Sequence, residues 1–103
     1  MAQFDIYRNK GKGRENYPFF MSLQHDLFDG LNTRLVVPLA DISALIPTRG
    51  IHPVLSVDGQ DYLLLTDLIT SVESKRLDTA PVASARHLHT EIVNALDLLI
   101  TGI

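Results

Sequence analysis

The last twenty residues, SARHLHTEIVNALDLLITGI from Ser84 to Ile103, constrain the fold of this chain more than any other stretch. Leu88, Ile92, Ala95, Leu96 and Leu99 recur at the i, i+4, i+7, i+8, i+11 spacing of one helix face. The spacing predicts an amphipathic helix that runs to the end of the sequence, with Ser84 as its N-cap. Val93, Leu98 and Ile100 lie off that stripe, and five of the last eight residues are large aliphatics. Apolar side chains outside the packed face of a terminal helix need a second chain or a target to cover them.

Everything before that helix reads as strand and turn. Gln3–Arg8 alternates, with Phe4 and Ile6 on one face and Asp5 and Tyr7 on the other. Asn9–Asn16 is a polar loop with two glycines, suited to a long, mobile hairpin returning through a strand at Tyr17–Gln24. Asp29–Asn32 is a turn, and Arg34–Leu39 is a continuous apolar run that predicts a strand buried on both faces, ended by Pro38 and Ala40. Asp41–Arg49 reads as a helical turn or ordered loop. Ile51–Val57 and Gln60–Thr66 flank Asp58-Gly59, the strongest short-range hairpin signal. Thr70–Ser74 fits a short edge strand, and Ser74–Val82 a polar linker. Strands first and one helix last predict a mainly β, antiparallel sheet packed by a C-terminal α-helix.

At 103 residues the chain is one domain, 1–103, of about the size that buries ~65% of its unfolded surface. A net charge of −3 argues against direct binding to nucleic acid. Without cysteine there is neither a disulfide nor a thiolate metal site. The start, MAQFDIYRNK, has no apolar run of signal-peptide length, and no stretch approaches the ~20 apolar residues of a membrane span. The expected location is the cytoplasm, with no membrane partner.

Five segments carry a resemblance: MAQFDIY, LQHDLFD (Leu23–Asp29), TRLVVPLA (Thr33–Ala40), HPVLSVDGQDYLLLTDLITSV (His52–Val72) and the ending NALDLLITGI. In this order and spacing they resemble the CcdB family, the toxins of plasmid and chromosomal toxin–antitoxin pairs that poison DNA gyrase. The resemblance implies an SH3-like barrel, a twofold homodimer, no cofactor and no catalytic residue. It implies two partners, the gyrase A subunit and a CcdA-like antitoxin. It assigns gyrase contact to Leu27 and Phe28 and to the helix end, Asp97, Ile100, Thr101, Gly102 and Ile103, where bound toxin traps the enzyme with its DNA cleaved. Thr101 stands where the best-known members carry Trp, Ile100 where they carry an aromatic, and Asp97 where Asn occurs. It also places the loop carrying Arg8, Lys10, Lys12 and Arg14 near the surface that accepts the acidic tail of the antitoxin.

Each of these residues has a plainer reading. Leu27 and Phe28 could be core residues, the tip a frayed helix end, and the four cations a solvated hairpin tip without interleaved aromatics. His25, His52, His87 and His89 show no ligand spacing, so no metal site is expected. A Ser22, His25, Asp26 triad lacks the nucleophile-elbow motif. Two further functions remain open: an endoribonuclease toxin of the MazF/Kid type, which shares the barrel and needs a basic groove, and a folded but non-toxic chromosomal homologue.

Overall fold

The computed structural model describes residues 1–102. Seven strands form one antiparallel sheet: β1 (Asp5–Arg8), β2 (Phe19–Ser22), β3 (Thr33–Asp41), β4 (Val54–Val57), β5 (Gln60–Leu64), β6 (Thr70–Glu73) and β7 (Ala83–Ser84). The order is β4-β5-β3-β2-β1-β7, and β6 also pairs with β3. The helix α1 (His89–Thr101) crosses the sheet last. The predicted class holds, as a bent, nearly closed barrel with one C-terminal helix.

β3 explains the bend. One edge pairs with β2 from Val36 to Leu39. The other is shared, by β6 at Thr33–Val36 and by β5 at Leu39–Asp41. Pro38 does not end the strand, as the sequence had implied. Its carbonyl accepts from Leu65 N–H at 3.0 Å on that shared edge, so its missing N–H falls in the gap between the two ladders. The expected hairpin forms at Asp58-Gly59, with φ of 53° and 79°, the pair of positive values that a type I′ turn requires.

Alternation sorts most of the sheet's buried side chains into two cores, and a third, small cluster joins Ala40, Leu63 and Leu65. Ile6, Phe19, Met21, Val37, Leu39 and Leu64 face the helix and meet Ile92. Tyr7, Phe20, Val36 and Val72 face the other way and meet Leu77. Leu77 is buried within the stretch expected to be a polar linker; a 3-10 turn at Ser74–Arg76 drops it onto the sheet. Only Ile92 and Ala95 of the helix stripe are fully buried. Leu88 and Leu96 pack partly, and Leu99 is exposed, a departure from the expected stripe. The helix also starts later than Ser84. Ser84 lies in β7, its Oγ accepting from Arg86 N–H at 3.3 Å, and a separate 3-10 turn at Arg86–Leu88, with Ala85 at its N-cap, comes between β7 and α1.

Candidate functional site

After β2 the chain makes a 3-10 turn, Asp26–Phe28. His25 caps it: its Nδ1 accepts from Leu27 N–H at 3.0 Å, and its carbonyl accepts from Phe28 N–H at 3.0 Å. Gln24 reaches over the turn, donating to the Phe28 carbonyl at 2.8 Å and accepting from Leu35 N–H at 3.1 Å. Gln3 N–H donates to Asp26 Oδ1 at 2.8 Å. The buried Arg34 guanidinium donates to the Asp29 carbonyl at 2.6 Å and pairs with its carboxylate at 3.0 Å. The Met1 amino group binds the same carboxylate at 2.8 and 2.9 Å. That hydrogen bond is the largest effect; with the lesser help of the ammonium and Arg34 charges it outweighs desolvation and holds the Asp29 carboxyl below its ordinary value.

These bonds point inward and leave two apolar side chains pointing out. Leu27 is 78% and Phe28 53% exposed, so neither is a core residue. Leu31 and Leu35 are exposed beside them. Leu35 departs from the expected doubly buried strand because no element covers β3 at this end. It lies opposite Ser71 of β6, and the exposed Leu68 and Ile69 precede that strand. α1 packs against the 3-10 turn Thr66–Leu68. A broken apolar track therefore leads from Phe28 across the sheet edge toward the helix.

The helix end is built locally. Gly102, at φ 74°, closes α1 by donating its N–H to the Leu98 carbonyl at 2.9 Å, the left-handed cap that glycine permits. Thr101 Oγ1 donates to the Asp97 carbonyl at 2.6 Å. Asp97, Ile100 and Thr101 share a face at i, i+3, i+4, and Ile100 is 79% exposed. Asp97 places a negative charge at the negative end of the helix, with no basic residue in the last turn to offset it. Ile103, assigned to the same tip, lies outside the described residues. The fold thus joins Leu27 with Phe28, and Asp97 with Ile100–Gly102, through different supports.

The cationic loop is more ordered than its composition implies. Asn9 is buried; its Oδ1 accepts from Gly11 N–H at 2.8 Å and its Nδ2 donates to the Tyr17 carbonyl at 3.0 Å. Arg8 lies 5.6 Å over the Phe19 ring. Lys10 N–H donates to the Arg76 carbonyl at 2.8 Å, and the Arg76 guanidinium covers Gly11 so closely that a Cβ there would meet it at 2.5 Å. Arg76 thereby joins the loop at Lys10 and Gly11, a neighbour with no sequence signal, while Lys75 pairs with Glu73 at 3.4 Å.

His52 is a structural clasp. Its Nδ1 accepts from Thr48 N–H at 2.9 Å and its Nε2 lies 2.8 Å from Asp67 Oδ1. Ser22 is fully buried in β2 while His25 is bound to Leu27, so the triad drawn on the sequence is not assembled. Among the described residues no group of His, Cys, Asp and Glu could hold a metal ion, and no helix is long and apolar enough to cross a membrane.

The family model described as CcdB protein matches residues 3–102. A solved structure described as an endoribonuclease in complex with its cognate antitoxin, from a mycobacterial species, superposes with a TM-score of 0.73. It is 13% identical, and the match covers 94% of this chain and 91% of that one. At that identity the likeness is one of fold.

Proposed function

The chain belongs to the CcdB family of toxins, and from that premise we propose that it binds the gyrase A subunit and traps the gyrase–DNA cleavage complex. What carries the reading is the family match over residues 3–102, nearly the whole chain. The geometry supports it: an exposed Leu27–Phe28 pair stands on a tied turn, and Ile100 stands out at a capped helix end. An exposed aromatic next to an aliphatic on a fixed backbone is the kind of anchor that dominates binding energy at interfaces. The reading has no chemical step. Toxicity comes from occupying a surface that the cleavage cycle must move, so affinity and shape decide it.

A CcdA-like antitoxin is the neutralising partner in this proposal. Its acidic tail would meet Arg8, Lys10, Lys12 and Arg14, with Arg76 beside them. The toxin acts as a homodimer, covering Val93, Leu98 and Leu99, each more than a third exposed in the single chain. Sedimentation as a monomer at micromolar concentration would remove that part of the reading.

The test is a supercoiling and cleavage assay with purified protein. Gyrase-dependent double-strand breaks, absent without gyrase, are expected. The endoribonuclease-like fold gives the second reading its one support. Sequence-specific RNA cleavage without gyrase would put that reading first, and a folded protein doing neither would be a non-toxic homologue.

A further inference from the structure

Phe4 has φ +68°, a left-handed backbone that a bulky side chain seldom adopts. Asp5 N–H donates to the Ala2 carbonyl at 3.2 Å, so Ala2–Asp5 is a tight turn with Phe4 where a type II turn normally places glycine. Several bonds hold this conformation. Phe4 N–H donates to the Ser22 carbonyl at 2.6 Å, and its carbonyl accepts from Ala85 N–H at 2.8 Å. Its ring is buried and meets His89, the first residue of α1, edge-on at 5.4 Å. One residue earlier, Gln3 sends its N–H to Asp26 Oδ1 at 2.8 Å and its side-chain amide to the Leu23 carbonyl at 2.9 Å.

We infer that Gln3 and Phe4 form a positioning strap that fixes the Asp26–Phe28 turn relative to the start of α1. The left-handed turn is what makes this work. It lets residues 3 and 4 face two elements at once, Phe4 gripping the helix start and the end of β2 while Gln3 N–H grips the turn. A glycine at Phe4 would adopt the same backbone without strain but would lose the ring that reaches His89. Because Gln3 donates to a charged carboxylate, the bond is of the strong, charge-assisted kind. The strap touches no partner in this arrangement; it holds Leu27 and Phe28 in a bound-like position before encounter. As a binding device it rests on the gyrase reading; as a tie on the turn it does not.

The test separates the Gln3 side chain from its N–H. Gln3→Ala removes only the side-chain bond. Gln3→Pro also removes the N–H, at a turn position where proline's fixed φ is favoured. Asp26→Ala removes the acceptor, and Asp26→Asn restores an uncharged oxygen there. All four should melt near the wild type. Amide exchange at Leu27 and Phe28 should accelerate in Gln3→Pro and Asp26→Ala beyond Gln3→Ala, with partial rescue in Asp26→Asn. Affinity for the gyrase A subunit should fall roughly tenfold in the same two variants, as lost preorganisation implies. Equal exchange in Gln3→Ala and Gln3→Pro, with no effect of Asp26→Ala, overturns the strap. Faster exchange with unchanged affinity for a wild type that binds overturns its positioning role. A wild type that does not bind gyrase A overturns the gyrase reading, while the exchange data still decide whether the strap holds the turn.

Discussion

The Asp26–Phe28 turn and the end of α1 both expose large aliphatic or aromatic side chains, and they hold them by opposite means. The turn is fixed by distant groups: Gln3, Arg34 and the Met1 amino group all reach it from outside its own segment. The helix end is fixed by itself, through the Gly102 cap and the Thr101 hydroxyl, each bonded within four residues. The buried Arg34 ties the shape of one apolar anchor to the stability of the fold, while Gln3 sets its position. A local cap leaves the other free to be cut or changed without disturbing the core. The two regions should therefore separate in every experiment that weighs folding against target binding.

Deleting Thr101–Ile103 gives the largest effect. Growth inhibition on expression should be abolished, while thermal unfolding stays cooperative. Gly102 and Thr101 contribute only a local cap, worth about 0.5–1 kcal/mol, or a few degrees of Tm in a domain of this size. An unfolded truncation would make the tip structural. A folded truncation that still arrests growth would place the target contact elsewhere.

Arg34→Ala should show the reverse balance. The guanidinium donates to the carbonyls of Leu31, Thr33 and Asp29 and is 6% exposed. Removing it leaves those acceptors without a donor, at about 1–3 kcal/mol, and loosens the turn as a whole. Chemical denaturation should report the loss, and target binding should weaken with it. A variant as stable as the wild type would mean that the turn does not depend on this support, and the contrast with the helix end would collapse.

Phe28→Ala tests the surface of the turn rather than its scaffold. Because Phe28 is 53% exposed, truncation should cost well under the ~3–5 kcal/mol of a buried Phe→Ala change. Gyrase binding should nonetheless fall. A large drop in Tm would return Phe28 to the core, against its exposure.

The same contrast explains what could be read from the sequence. The helix and its tip were legible because their signals are local: a 3.6-residue period and a glycine near the end. The Asp58-Gly59 hairpin was legible for the same reason. Leu27 and Phe28 stood out as apolar residues between two aspartates, but nothing local marks Gln3, Arg34 or Gln24 as their supports. The Gln3 bond joins residues 23 apart in the chain, and the nearer ones, from Arg34 to Asp29 and from Gln24 to Phe28, depend on how the chain turns between them. Leu77 in the polar linker, Arg76 beside the loop, and the His52–Asp67 clasp were missed alike. Their partners are set by the bend of β3, which only the folded sheet defines. Leu35 misled because a continuous apolar run reports hydrophobicity, not whether another element covers it.

The smallest effect is a pH dependence of the turn. The Asp29 carboxyl is held below its ordinary value of 3.8, first by the hydrogen bond from the Met1 amino group and then by the charges of that ammonium and Arg34. A lowered folded-state pKa means that the ionised form stabilises the fold above the unfolded value. That contribution is lost as pH falls through the folded value. The carboxylate is solvent-exposed, so the change is modest and screened by salt. Acidification below about pH 4 should therefore lower the protection of the Leu27 and Phe28 amides relative to their intrinsic exchange rates at the same pH. The Gly102 N–H bond to Leu98 joins two backbone groups and has no proton to gain. Asp41, lowered by the Ser43 hydroxyl and N–H and by Gln60, titrates in the same direction, so a global melting curve would mix the two sites. Residue-resolved exchange in wild type and Asp29→Asn separates them. The variant should show lower protection at neutral pH and a weaker acid dependence at the turn, the rest belonging to the His25 and Asp26 acceptors. If its turn still loosened with acid as the wild type does, Asp29 would not be the group that titrates, and the electrostatic part of the scaffold would have to be assigned elsewhere.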